Sequence, residues 1–166
     1  MGNFPTHGAT LSPCRNYRYV LWRSWPNLFD AADKGYAMFV GLNPSTADET
    51  ENDPTIRRCI RFAQDWGYSG LCMTNLFAFR ATEPKDMLLH PDPVGQDNDK
   101  HLLATAKNAG IIVAARGTLG DHLGRAEIVT ALLPELHYLR LTKEGHPGHL
   151  LYIPSKTMPE KWITAK

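Results

Sequence analysis

Long apolar runs are absent from this sequence. None comes near the roughly 20 residues that cross a bilayer, so no membrane partner is expected. Cysteine is scarce: Cys14, Cys59 and Cys72 leave one over in any disulfide scheme and share no C-x-x-C spacing. A disulfide scaffold and a zinc ribbon are thereby excluded, and a reduced, cytoplasmic setting is the expectation. Neither sign of charge is in excess, since 18 Lys and Arg face 17 Asp and Glu for a net +1. That balance does not advertise nucleic-acid binding, although a local basic face can sit on a neutral protein. G-x-G-x-x-G, Walker and H-E-x-x-H patterns are missing too, which removes the usual supports for dinucleotide, nucleoside-triphosphate and zinc-hydrolase readings. His146 and His149 form an H-x-x-H without a third ligand in sight, so no metal and no cofactor are expected. The opening residues, MGNFPTHGATLSPCRNYR, lack a basic start followed by an apolar segment, so no secretory leader is expected.

What is present is ordinary in bulk and specific in pattern. The chain has 166 residues, 43% of them apolar, which fits one domain with a real core. The expected domain is residues 1–166, with 1–16 a flexible or loosely packed segment. Residues 17–22 (YRYVLW) alternate as a strand at a sheet edge would, whereas 36–41 (YAMFVG) are continuously apolar, as in a strand buried on both faces. Further buried strands are expected from Gly70 to about Phe77 and over 111–115 (IIVAA), and LHYLRL reads as another. Between them lie helical patterns. Asp53 is a good N-cap and Pro54 a good first residue for a helix carrying Ile56, Cys59, Ile60 and Ala63 on one face, ended by Gly67. HLLATAKNA and GRAEIVTALL supply two more. Strands alternating with helices predict a three-layer α/β/α domain on a mostly parallel sheet of four to five strands.

Polar residues gather where these strands end. Residues 41–48 (GLNPSTAD) follow the first buried strand. Asn-Pro initiates turns, and Ser, Thr and Asp hydrogen-bond nearby backbone, so a plain turn explains every residue type there. A catalytic loop at the carboxyl end of a strand explains them equally well. The second buried strand ends in L-C-M-T-N-L-F-A-F-R-A, the third in I-I-V-A-A-R-G, and H-P-G-H follows the fourth.

Taken in order, these motifs resemble the uracil-DNA glycosylase superfamily. That superfamily ends its first strand in G-[IL]-N-P-G with a catalytic Asn, uses a later strand-end Asn to read a pyrimidine, and places an assisting His after the last strand. The chain from about 17 to 155 also resembles a bacterial and phage domain-of-unknown-function family (DUF1643-like), through N-P-S-T-A-D, D-P-T-I-R-R, W-G-Y and N-L-F-A-F-R-A-T. Two departures stand out: Ser45 replaces the glycine common after the proline, and H-P-G-H-L replaces H-P-S-P.

The glycosylase resemblance implies a uracil-DNA-glycosylase-like fold and assigns roles. Asn43 orients water, His149 assists the departing base with His146 as its alternative, and Asp48 serves as a general base. Gly41, Ser45, Asn75 and Phe77 form the base site, with Asn75 offering both a donor and an acceptor to a pyrimidine edge. Phe79 is a second candidate for stacking. Arg57, Arg80 and Arg116 contact phosphates, with His146 beside them. Each residue has a plainer reading: Asn43 and Asp48 as turn formers, Asn75 as a strand-end cap, the phenylalanines as core, and the arginines and histidines as solvated charges. The expected function is hydrolysis of the N-glycosidic bond of a non-standard or modified pyrimidine in DNA. DNA is the expected partner, with no obligatory protein partner. The competing expectations are a nucleotide- or base-modifying enzyme on the same scaffold and a catalytically inert nucleic-acid-binding module.

Overall fold

Continuous apolar runs become the middle of the sheet. The computed structural model of the chain describes residues 6–26 and 33–162. Its strands are β1 (His7–Leu11), β2 (Arg18–Ser24), β3 (Tyr36–Gly41), β4 (Gly70–Asn75), β5 (Ile111–Ala114), β6 (His137–Tyr138) and β7 (Glu160–Lys161), in the spatial order β1-β2-β4-β3-β5-β6-β7. The four inner strands β4, β3, β5 and β6 run parallel, while β1, β2 and β7 are antiparallel additions at the two sides.

The helices are α1 (Pro54–Asp65), α2 (Pro84–Leu89), α3 (Asn98–Lys107) and α4 (Arg125–Leu132). They cover both faces, following the alternation of β3. Ala37 and Phe39 join the cluster under α1 with Ile56, Cys59, Phe62 and Ala63. Met38 and Val40 join the opposite cluster with Met87, Leu102, Ala106, Ala126 and Val129 from α2, α3 and α4. This division follows from chain direction. From β3 the chain steps to β4 on one side; from β4 it must cross back over β3 to reach β5. Right-handed crossovers made in opposite directions put their helices on opposite faces. Burial of Phe39 and Phe62, each no more than 1% exposed, contributes about 1.5–3 kcal/mol apiece before entropy is counted.

Local signals account for α1 and α2. Asp53 caps α1 by accepting the Ile56 N–H at 2.9 Å, and Pro54 stands at its start. Trp66 closes α1, and Gly67 follows at φ 88°, a left-handed geometry that favours glycine. Helix α2 also opens on a proline, Pro84, a signal that the stretch RATEPKDML carries but that an apolar-period reading passes over.

Three expectations need correction. The sheet has seven strands where four to five were expected, and it is mixed. β2 is not an edge strand, because His7–Leu11 pairs along its outer side, so part of the segment 1–16 is ordered sheet; residues 1–5 lie outside the described residues. LHYLRL supplies only the two-residue β6, which meets β5 through the single pair Val113–His137. Among the described residues, no helix is long and apolar enough to cross a membrane.

Candidate active site

The loops after β3 and β4 are laced to each other. Gly41, Leu42 and Pro44 accept, through their carbonyls, the N–H groups of Leu76, Phe77 and Ala81 at 2.9, 3.0 and 2.9 Å. GLNPS therefore prolongs the parallel ladder instead of turning freely. The Asn43 side chain reinforces the lacing: its Nδ2 donates to the carbonyl of Ala81 at 2.9 Å and to that of Pro44 at 3.1 Å. Both amide hydrogens are thereby used, which fixes the orientation of the group and leaves Oδ1 without a donor among the described residues.

Beside these loops lies a cavity of about 420 Å³, walled by strand ends and the first turn of α1. Gly41, Asn43, Ser45, Asn75 and His149 all line it. It sits at the carboxyl ends of the parallel strands, next to the point where the chain reverses its direction across the sheet, which is where open α/β sheets hold ligands. The volume is within the range of small-molecule sites.

Asn75 is the residue that the rest of the fold does not explain. It is 1% exposed, yet neither Oδ1 nor Nδ2 of its side chain has a hydrogen-bond partner among the described residues. Leaving such a group unpaired costs about 1–3 kcal/mol. Its backbone, by contrast, is carefully held: Asn98 at the start of α3 donates Nδ2 to the carbonyls of Asn75 and Leu76, both at 3.0 Å. Arg125 adds a bond from Nε to the Leu76 carbonyl at 2.9 Å, and its own guanidinium pairs with Asp99. Asn98 and Arg125 thus anchor the end of β4 from behind while the amide in front stays free. Neither is marked by any motif; each reads as an ordinary polar residue on a helix.

His149 lies half-buried at the cavity, and its Nδ1 accepts the Leu151 N–H at 3.3 Å. Burial lowers its pKa, with the charge of Asp53 opposing, so the ring is neutral at neutral pH. A neutral ring that accepts at Nδ1 carries its proton on Nε2. The site therefore holds a fixed, uncharged N–H donor.

Two charged residues in the cavity wall were not expected there. Arg18, on β2, is 2% exposed; its Nη1 donates to the Ala47 carbonyl at 3.0 Å, and its Nε is buried without a partner. Burial pushes its pKa down to about 10, with Asp53 again opposing, so it stays a cation at neutral pH. Among the described residues Asp53 is the sole carboxylate in the wall, and its capping of α1 engages Oδ1. A strand-borne arginine followed by apolar residues offers no sequence signal of this kind, and Asp53 reads fully as a helix cap.

Several expected site residues stand elsewhere. Phe77 is fully buried in the core with its ring 5.7 Å from that of His122, so it has no face to offer a base. Phe79 stacks on His90 with centroids 3.9 Å apart, outside this cavity. Asp48 is a turn former: its Oδ1 accepts the N–H groups of Thr50 and Glu51 at 2.9 and 2.8 Å, and it does not line the cavity. Arg116 is 4% exposed and covers the Trp162 ring at 4.9 Å, which removes it from any phosphate backbone. His146 lies 3.6 Å from Asp121, away from the cavity. Arg57 is exposed on α1. Arg80 is spent on the carbonyls of Ser45, Thr46 and Arg15 at 3.4, 3.3 and 3.2 Å, on the wall of a neighbouring hollow. Among the described residues, no group of three or more His, Cys, Asp or Glu could hold a metal ion.

A family model described as "Protein of unknown function (DUF1643)" matches residues 18–151, a span that contains every residue of the cavity wall. No curated protein and no solved structure matches the chain.

Proposed function

Because the chain belongs to the DUF1643 family, whose description names no activity, we propose a function from the cavity itself: hydrolysis of the N-glycosidic bond of a pyrimidine nucleotide, with DNA as the expected carrier. The observation that carries this reading is the buried, unpartnered amide of Asn75 in a cavity it shares with Asn43 and His149. An amide with one free donor and one free acceptor matches the edge of a pyrimidine, which presents the same pair in reverse. The arrangement resembles that of uracil-DNA glycosylases, and a glycosylase-like fold belongs to this proposal.

The chemistry needs few groups. The bond from C1′ to the base nitrogen breaks, and its electron pair leaves with the base. Water adds its oxygen to C1′ and gives up a proton. Asn43 Oδ1 orients that water by accepting one hydrogen, and Asp53 takes the proton, a role expected of Asp48 but supported better at Asp53 by its place in the wall. His149 donates from Nε2 to the charge that develops on the departing base. A base inside the cavity must leave its stack, and the unpaired amide supplies recognition once it does.

The test is mass spectrometry of bases released from DNA carrying uracil, hydroxymethylated cytosine or glucosylated cytosine. Release that disappears with Asn43→Ala and Asn75→Asp is expected. Absence of release from all three, together with release from a free nucleotide, would transfer the reading to the second candidate, an enzyme of free nucleotides. That candidate is favoured by one observation: of the arginines expected on a DNA backbone, Arg116 is buried over Trp162 and Arg80 bonds to the carbonyls of Ser45 and Thr46.

A further inference from the structure

An arginine inside a protein is ordinarily matched to a carboxylate, because an isolated buried charge is costly. Arg18 is not matched: it has no ion pair among the described residues, a single side-chain bond to the Ala47 carbonyl, and a buried Nε–H without acceptor. Beside it stands the amino end of α1, a helix of 12 residues with no acidic side chain in its first turn. There the Ile56 and Arg57 N–H groups are satisfied by Asp53, through its side chain and its carbonyl, and Pro54 has none. The Thr55 N–H has no acceptor among the described residues, and Thr55, Ser45 and Thr46 bring hydroxyls to the same wall.

We propose that Arg18 and the amino end of α1 form a phosphate subsite, which holds a phosphate of the same nucleotide whose base Asn75 reads. The inference rests on the base-reading role given to Asn75 above. A guanidinium presents a fork of N–H donors to phosphate oxygens. A helix amino terminus adds an exposed N–H and the positive end of its dipole. Asp53 works against an anion here, and so it limits affinity and favours release. The phosphate has two possible sources: the monoester of a free nucleotide, or a phosphodiester flanking an extruded base in DNA.

The test uses two base-free pairs with the intact chain. One pair is 2-deoxyribose 5-phosphate against 2-deoxyribose. The other is an oligonucleotide with an abasic site flanked either by phosphodiesters or by neutral methylphosphonates. Calorimetric titration should show that the charged member of at least one pair binds tighter by roughly ten- to a hundredfold, the worth of a charged hydrogen bond. Preference confined to the sugar pair assigns the free nucleotide as source; preference confined to the oligonucleotide pair assigns DNA. Arg18→Gln should abolish the preference. Asp53→Asn keeps a good helix cap and removes the opposing charge, so it should enlarge the preference. No preference in either pair overturns the proposal without recourse to any variant. A preference that survives Arg18→Gln, or that shrinks with Asp53→Asn, overturns it as well, and the Asp53 variant decides if the Arg18 variant does not fold. Failure of the base reading would look different: Asn75→Leu would leave deoxyuridine binding unchanged, while both base-free pairs still behaved as stated.

Discussion

Gly41 and Asn75 stand opposite each other in the parallel register of β3 and β4, and a side chain on Gly41 would bring its Cβ to 2.8 Å from Asn75 Oδ1. The same Cβ would meet Met73 Cε at 2.6 Å. The glycine is therefore not there for a turn, since it lies within β3. It vacates the space in which the Asn75 amide can lie free, and so links a backbone position to the chemistry of the cavity.

Gly41→Ala should accordingly do two things. Overpacking in a filled core costs about 1–3 kcal/mol, and the displaced Asn75 amide should lose its aim into the cavity. Denaturant unfolding and nucleoside binding, measured on one preparation, check both. A variant that binds like wild type would show that the glycine serves packing alone.

Asn75→Leu separates function from stability more sharply. The side chain holds two buried polar atoms without partners, so removing them relieves a cost of about 1–3 kcal/mol. The variant should be as stable as wild type or more so, and should fail to bind or process a base. A clear loss of stability would mean that the amide is satisfied within the fold and is no ligand reader. Such a residue, better for function than for folding, is what a binding site is expected to contain.

How far this site could be read from sequence depended on whether its residues announce themselves locally. Apolar runs located β3, β4 and β5, because a strand buried on both faces needs no partner to be recognised. Asp53-Pro54 located α1, because capping is local chemistry. LHYLRL marked the place of β6 but not its two-residue length, and β7, also of two residues, gains its hydrogen bonds only from its neighbour, so no local pattern marks it. The strand-end residues Asn43 and Asn75 were legible as polar breaks after apolar runs. Arg18 was not, since its burial depends on the Ala47 carbonyl, 29 positions away. Phe77 misled for a related reason. The chain beyond Asn75 continues the ladder through Leu42, which keeps Phe77 under the sheet.

Arg116 gives a prediction opposite to that of a phosphate contact. Its guanidinium lies over the Trp162 ring, and its Nη2 reaches the Thr130 hydroxyl at 3.2 Å. Arg116→Ala should lower thermal stability by opening that contact, whereas Arg116→Met should retain much of it through packing. The slope of DNA affinity against salt should be the same for Arg116→Met and wild type, because each phosphate contact adds about 0.9 to that slope. A flatter slope in the Met variant would return Arg116 to the DNA surface.

His149 predicts a pH dependence of stability with a definite sign. Its pKa in the fold lies below the usual 6.5 because burial disfavours the charged ring. The unfolded chain then binds the proton first on acidification, so stability falls as pH drops from about 6.5 toward the folded value, and is full above it. His101, also lowered by burial, contributes with the same sign. Thermal unfolding between about pH 5 and 8 should slope less steeply in His149→Gln than in wild type. Identical slopes would indicate that His149 titrates alike in both states, and would remove the case for a neutral donor at the cavity.

Asn43 joins structure and chemistry most closely, and its variants can pull them apart. Its Nδ2 ties the two cavity loops through the carbonyls of Ala81 and Pro44; losing such bonds costs about 0.5–1.5 kcal/mol each. Its Oδ1 is the group proposed to hold the attacking water. Asn43→Ala removes both, so stability should fall modestly while single-turnover base release falls by roughly 10²–10³-fold, as when one preorganised polar group is lost. Asn43→Asp is the informative partner. It keeps an acceptor for water but loses the two donated bonds and sets a carboxylate against two carbonyls, so it should be the less stable of the two variants. Yet it should retain more activity per folded molecule than Asn43→Ala. If release instead follows the folded fraction in both variants, the loop GLNPSTAD is a structural tie between β3 and β4, and the water-positioning role belongs to another residue of the cavity wall.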